Sequence, residues 1–358
     1  MVTTKKDIEA TIVVAGIDTH KDTHHAAVLD LIGRVLGTQE FPTTPTGYQD
    51  LLDWVAGYGL IDRVGIELTG SYGAGLTRYL TAAGITVLEV NTTDKATRAR
   101  QGKNDQIDAI SAGQKVLAGM ATATPKDTST AAESVRILML VRDSAVKART
   151  QALNQIKDLI VTAPAPLREQ FVGLTLPASA TKAGQLRPDR TRLADPAQAG
   201  KLALKRLGDR VHELTIEIVE SEKQLDVLVH DAVPTLVSRP GIGTLTAAQF
   251  LITAGANINR IPTDAAFAHL CGAAPLPASS GKTDRHRLNR FGDRQANRAL
   301  HIVIIGRMRY DDETKAYIAK KLAEGKSKKD AIRALKRFLA RRIFHDLITD
   351  LRTPHITT

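Results

Sequence analysis

Four carboxylates in the first third of the chain have the spacing of a cation site. Asp18 closes the apolar run Val14-Ala-Gly-Ile ahead of Thr19-His-Lys21, and Glu67 ends a second such run in Val64-Gly-Ile-Glu-Leu-Thr-Gly-Ser-Tyr72. Asp105 and Asp108, in Gly102-Lys-Asn-Asp-Gln-Ile-Asp-Ala109, stand three apart, which on a helix puts both on one face. Gathered in one place, like charges repel unless a cation compensates them. A pair of divalent ions about 4 Å apart can activate an attacking oxygen and stabilise a leaving one, the chemistry of phosphodiester transfer. Oxygen donors without thiolates suit Mg2+ or Mn2+. An acid at a strand end also serves as a turn or cap residue, so the reading rests on the combination of two strand-end acids with an i, i+3 pair.

Other residues in reach of such chemistry are less specific. His20, His24 and His25 crowd the same stretch, but strand alternation sends His24 and His25 to opposite faces. A shared histidine metal site is therefore not expected, and roles on the sheet surface or behind the acids are. Pro240-Gly-Ile-Gly243 ahead of a helix allows a tight turn whose backbone N–H groups, at Gly241 and Gly243, approach a phosphate as in a helix-hairpin-helix; a plain glycine turn is the alternative. Ser279 and Ser280 precede Gly281, and without an activating base nearby in sequence they read as loop residues. They lead into Lys282, Arg285, Arg287, Arg290, Arg294 and Arg298, a run suited to backbone phosphates.

The charge distribution strengthens that last reading. The chain of 358 residues carries a formal net charge of +11. Residues 281–352 hold 20 Lys+Arg against 9 Asp+Glu, so the whole excess lies in this last fifth. A concentrated excess is the footprint of a polyanion partner, double-stranded DNA above all, whereas a uniform one would speak only to solubility; a solvated basic face is the alternative. Aromatic residues make up 4% of the chain, which argues against base stacking along single strands as the main mode. The single cysteine, Cys271, excludes an internal disulfide and a thiolate metal cluster and fits a reducing cytosol. No signal-peptide core and no apolar run of about 18 residues is present, so a cytoplasmic, nucleoid-associated protein without a membrane span is expected.

The acids need a scaffold, and the first 120 residues supply an alternating pattern. Thr11–Ile17, Ala26–Leu31 and Arg34–Phe41 read as three consecutive strands with Gly33 at a turn. Helix Tyr48–Tyr58, strand Arg63–Leu68, helix Ala74–Ala83, strand Ile85–Val90 and helix Asp105–Leu117 follow. A meander followed by alternating units predicts a mixed α/β sheet in an RNase H-like (RuvC-like) layout, and no Walker A or G-x-G-x-x-G motif points to a nucleotide fold. Helical patterning resumes over about 128–161. Residues 162–200, rich in proline, read as an irregular connector. From Lys201 to about His230, Leu207, Val211, Leu214, Ile218, Leu225 and Leu228 form a heptad seam with Ser221 in its one gap, as in a coiled coil or an amphipathic bundle helix. The expected organisation is a metal-dependent catalytic domain (1–125), a coiled-coil and linker region (126–235) and an all-α domain (236–352) ending in a basic helix around Lys328–Arg352.

Taken in order, G-I-D-T-H-K (16–21), E-L-T-G-S-Y (67–72), K-N-D-Q-I-D-A (103–109), R-P-G-I-G (239–243), F-A-H-L-C-G-A-A-P (267–275) and S-S-G (279–281) resemble the DEDD-type insertion-sequence transposases, the insertion-sequence one-ten family of bridge-RNA-guided recombinases. The resemblance implies a RuvC-like domain whose tetrad falls on Asp18, Glu67, Asp105 and Asp108 and binds Mg2+. It implies a coiled-coil middle used to assemble a dimer or tetramer, and a C-terminal domain whose serine, matched to Ser280 rather than Ser279, forms a transient phosphoserine link to DNA. It further implies a structured guide RNA encoded by the element. The chain departs from the family where Asn91-Thr-Thr replaces Asn-Pro and where Lys-Thr-Asp-Arg-His-Arg replaces a glycine-rich continuation after Gly281. Two other functions share these features: a RuvC-like nuclease acting with water on branched DNA, with Ser280 structural, and a nonenzymatic nucleic-acid scaffold.

Overall fold

The computed structural model describes residues 11–91, 104–279, 286–287 and 289–352. The chain divides into two units, Met1–Thr130 with Ala254–Pro262, and Ala131–Thr253 with Thr263–Thr358.

The first unit is built on strands β1 (Ile12–Thr19), β2 (Thr23–Asp30), β3 (Val35–Pro42), β4 (Leu60–Glu67) and β5 (Val87–Val90) in the order β3-β2-β1-β4-β5. β1, β2 and β3 pair antiparallel, while β4 pairs parallel with both β1 and β5. This is the mixed sheet that the meander predicts. β1 and β2 are buried almost throughout because helices cover both faces, which is why their apolar runs are nearly continuous. Helices α1 (Pro45–Ala56) and α2 (Ala74–Ala82) cover one face, where Val13, Ala15, Ile17, Val28, Phe41, Leu51, Ile66 and Leu76 form the main core. Helix α3 (Asp105–Leu117) covers the other through Ala109, Ala112 and Val116. α1 begins where Thr44 caps the N–H of Gly47 with Pro45 at the first position, and α3 begins where Asn104 caps Gln106.

α3 lies unusually close to the sheet, and glycine is the reason. A Cβ on Gly16 would stand 2.2 Å from both the Ala109 carbonyl oxygen and the Gly113 nitrogen. Gly113 in turn has the Leu29 side chain 2.5 Å from where its own Cβ would be, with the Gly16 backbone nitrogen at 3.4 Å. Backbone thus rests on backbone, and this contact sets the height of α3 above the end of β1.

Among the described residues, the second unit is helical apart from the two-residue strands β6 (Leu276–Pro277) and β7 (His286–Arg287). Helix α4 (Ala131–Thr162) pairs with α6 (Pro196–Ala232) within the chain. Arg142 of α4 donates to Glu222 of α6 at 2.6 and 2.9 Å, which pins their register. The buried positions of α6 are Leu204, Gly208, Ile218, Ser221, Leu225, Val229 and Ala232, so the heptad seam is real but begins earlier than predicted; Leu207, Val211, Leu214 and Leu228 are half-buried at its margin.

The proline-rich interval is not irregular. It contains helical turns at Ala165–Arg168 and Glu169–Phe171, the helix α5 (Leu176–Gly184) and the first turn of α6. Pro166, Pro177 and Pro196 sit in the first turns of their helices, where a missing N–H costs nothing. Leu167, Phe171, Ala180, Ala183 and Leu186 then bury against Ile156 and Leu204. Helices α7 (Thr244–Ala254), α8 (Asp264–Leu270), α9 (Arg294–Tyr310), α10 (Asp312–Ala323) and α11 (Lys328–Arg352) follow, with short helical turns at Pro234–Val237 and Ile258–Arg260. α11 spans the residues expected of the basic terminal helix.

Candidate functional sites

β1 carries its apolar run two residues further than its composition suggests, so Asp18 lies within the strand and is 6% exposed. In the parallel register Ile17 is opposite Ile66, which sets Glu67, 2% exposed, beside Asp18 on the same face. The Thr19 hydroxyl ties the two strand ends together by donating to the Glu67 carbonyl oxygen at 2.9 Å. Leu68, directly after Glu67, adopts a left-handed φ of 54°, uncommon for a branched side chain. Its carbonyl accepts from the N–H groups of Ser71 and Gly73, which closes the turn that ends the strand.

α3 lies on that same face. Its first turn brings Asp105 to the end of β1, and Asp108 is buried one turn further along. His20 completes the group, with Nε2 3.1 Å from Asp18 Oδ2 and 3.3 Å from Asp105 Oδ1. Ligand atoms of Asp18, His20 and Asp105 lie within 4.8 Å of one another, close enough to share one cation. The Asp18 carboxyl is held above the usual carboxylate range, first by burial and then, against the pull of His20, by the charges of Asp108 and Asp105. A divalent cation would relieve that repulsion, and the oxygen-rich donor set suits one.

Sequence reasoning left His20 a role on the sheet surface or behind the acids, and passed over Lys115. His20 stands two beyond Asp18, the spacing that keeps strand neighbours on one face, and that signal was present in the pattern. Lys115, two turns beyond Asp108 on α3, places its ammonium 4.0 Å from Glu67 Oε1 and donates to the Asn91 carbonyl oxygen at 2.8 Å. The other histidines divide as expected. His25 pairs across from Asp18 and lies 3.9 Å from Glu40, on the cation-site face. His24 points into the core on the opposite face, stacked on Tyr48 at 5.8 Å between ring centroids. Burial pushes its pKa down to about 4, so it is neutral.

In the second unit, Gly241 has a left-handed φ of 79°, and a side chain there would run into the Tyr310 hydroxyl at 2.5 Å. Arg307 Nε donates to the Pro240 carbonyl oxygen at 2.9 Å, and Arg239 holds the buried Asp346 through two bonds of 2.6 and 3.0 Å. The turn is thus anchored from α9 and α11. Gly243 is exposed with open space around its Cα, ahead of α7. Ser280, Lys282 and Arg285 lie outside the described residues, and Ser279 is exposed.

Arg287, Arg290, Arg294 and Arg298 are all exposed. The first three line a recess of about 800 Å³ together with Arg333, Lys336, Arg337 and Phe338 of α11, residues that the basic run alone did not single out. Arg298 is not part of its wall. Lys336 donates to Asn297 Oδ1 at 2.8 Å, and burial followed by the charge of Arg333 holds its pKa below that of an ordinary lysine.

Two family models match the chain, a DEDD transposase model of the IS110 group over residues 15–163 and the transposase IS116/IS110/IS902 family over residues 233–319. The chain is similar to an uncharacterised 43.6 kDa protein of insertion element IS110 from Streptomyces coelicolor, 36% identical over 120 residues, 32% of this chain and 29% of the relative. It is 28% identical over 144 residues to an uncharacterised 42 kDa protein of insertion element IS900 from Mycobacterium paratuberculosis, covering 39% of this chain and 36% of the relative. These two matches therefore span about a third of each relative's own length. A longer match, 26% over 330 residues and covering 75% of this chain and 78% of the relative, is to a protein of Streptomyces coelicolor named as a candidate transposase for the mini-circle IS117.

Proposed function

Because the chain belongs to the IS110 family of insertion-sequence transposases, we propose that it cuts and rejoins DNA to move such an element, with Asp18, Glu67, Asp105 and Asp108 holding Mg2+ or Mn2+ and Ser280 attacking the strand. One observation carries the metal half of this reading: the ends of two parallel strands and the first turn of α3 present these acids on one face. A divalent cation in that position would polarise a scissile phosphodiester and favour ionisation of an attacking hydroxyl. His20 is the nearest further donor to it and helps order Asp18 and Asp105. Lys115 balances part of the charge on Glu67. Both act before any substrate arrives, by fixing where the carboxylates point.

The second half is the basic unit. Gly241, Gly243, Lys282, Arg285, Arg287, Arg290, Arg294 and Arg298 hold the DNA backbone in this reading, and an element-encoded RNA guides the choice of site. The functional regions are residues 1–125, 126–235 and 236–352. Assembly into a dimer or tetramer uses the α4–α6 hairpin, which leaves Ile137, Leu140, Val141, Val219 and Val227 exposed.

The test is to incubate the full chain, its transcript-derived RNA and element-end DNA with Mg2+ or Mn2+, then denature and look for DNA covalently bound to protein. A covalent adduct that disappears in both Ser280→Ala and Asp18→Asn is expected. An undiminished adduct in Ser280→Ala would remove the serine assignment. Metal-dependent cleavage with no adduct at all would favour a hydrolytic RuvC-like nuclease instead.

A further inference from the structure

The recess beside β7 and α11 is larger and more selective than phosphate contact requires. Its wall carries six cations, Arg287, Arg290, Arg294, Arg333, Lys336 and Arg337, against one acid, Asp330. That acid is already engaged, by Arg333 at 2.8 Å and by the Ser327 hydroxyl at 2.6 Å. Arg287, Arg290, Arg294 and Arg337 have no acidic partner among the described residues. Such a concentration of unbalanced charge is relieved by a polyanion.

Two further features narrow which polyanion. The first is size. A volume of about 800 Å³ is that of a pocket for a compact ligand rather than a flat face along a duplex, which suits one or two nucleotides of a single strand. The second is Phe338, which lines the recess and is 54% exposed. Its ring makes a T-shaped contact with Tyr317, with centroids 6.1 Å apart and planes at 77°, which steadies the ring while more than half of the residue stays exposed. Phe291, 91% exposed, lies between the wall residues Arg290 and Gly292. Isolated exposed apolar residues are ordinary. An exposed ring inside a cationic recess is the pairing used to bind unpaired strands, with arginines tracking phosphates and an aromatic face receiving a base. The low aromatic content of the whole chain does not bear on this, because one of its seven phenylalanines lines the recess and a second stands between two of its wall residues in sequence.

We infer that this recess binds an unpaired stretch of polynucleotide, with a base stacked on Phe338 and the flanking phosphates held by Arg290, Arg294 and Arg337. The inference rests on the DNA-handling function proposed above and specifies what the basic unit recognises: a strand already separated from its partner. Unpaired DNA and unpaired RNA share this chemistry.

The test uses the full chain and three fluorescent probes of equal length: single-stranded DNA, single-stranded RNA and duplex DNA, each strand carrying one 2-aminopurine. The wild-type chain is expected to quench 2-aminopurine in a single strand. Phe338→Ala should remove the quenching and weaken single-strand binding on the order of ten-fold, with duplex binding changed less than two-fold. Phe338→Tyr should restore both, which a merely structural role for the ring does not predict if the Ala variant folds normally. Arg290→Gln with Arg337→Gln should lower the slope of log affinity against log salt by about 1.4 for single strands. Tighter binding of RNA would identify a guide strand as the occupant, and tighter binding of DNA a displaced target strand; both support the inference. Equal losses for duplex and single strand in Phe338→Ala, or unchanged quenching, would overturn it. None of these measurements requires strand cleavage. A chain that passes them but makes no DNA breaks refutes the proposed function and leaves the recess assignment standing.

Discussion

His24 offers a direct test of how the sheet is packed. It is fully buried against Tyr48 and its pKa is pushed down to about 4 by burial, against about 6.5 in an unfolded chain. Between these values the unfolded chain binds a proton that the folded chain does not, so stability falls as pH drops from about 6.5 towards 4. Integrating one such group gives a loss of about 2.5 kcal/mol at pH 4.5 relative to pH 7.5. Other carboxylates also change their protonation over this range, so the quantity to measure is the difference between wild type and His24→Phe, which cannot take up the proton. Trp54, the only tryptophan, lies in α1 and packs against Phe41 and Tyr58 in the same layer as His24, so its fluorescence reports the relevant unfolding step. In urea titrations from pH 7.5 to 4.5 the wild type should lose about 2 to 3 kcal/mol more stability than His24→Phe. Parallel pH profiles would refute the assignment of a neutral core histidine.

Three other outcomes follow from the same geometry. Addition of Mn2+ or Mg2+ should raise the thermal midpoint reported by Trp54, in keeping with about 2.7 kcal/mol of added stability at a hundred-fold excess over Kd; Asp18→Asn should abolish the response, yet leave the metal-free protein as stable or more so, because it removes one of several crowded carboxylates. Gly16→Ala forces a methyl to within 2.2 Å of backbone atoms and should cost about 1–3 kcal/mol or more in a urea titration, together with DNA cleavage, whereas Gly113→Ala clashes with the movable Leu29 side chain and meets backbone no nearer than 3.4 Å, so it should cost less. Arg239→Ala strands the buried Asp346 and should cost about 2 kcal/mol in the unfolding of the helical unit, with Asp346→Ala added on top recovering part of the loss.

Local pattern made most of the first unit legible. The order of strands and helices, the strand-end acids and the shared face of Asp105 and Asp108 all follow from periods of 2 and 3.6 residues. The end of β1 was set short because the apolar run stops at Ile17, yet the strand continues through the buried Asp18; burial of a charged residue leaves no hydrophobic signature. The proline-rich segment is ordered into helical turns for a related reason. Proline breaks a helix from inside but starts one at the first turn, and only the packing of Leu167 and Phe171 decides between these. Pairing at a distance was the least accessible. Nothing near Arg287 in sequence announces Arg333, Lys336 or Phe338, because α11 joins that wall by tertiary folding.

The contact between Gly16 and α3 also bears on how copies of a mobile element lose function. The four acids are the conspicuous part of the site, and a copy that has lost one is readily scored as dead. The height of α3 depends instead on a hydrogen where every other residue has a carbon. Under the function proposed above, a copy that keeps Asp18, Glu67, Asp105 and Asp108 intact is expected to be inactivated by one added methyl at position 16. An inventory of acids alone would overcount the elements still able to move, and the residue that corrects the count carries no functional group.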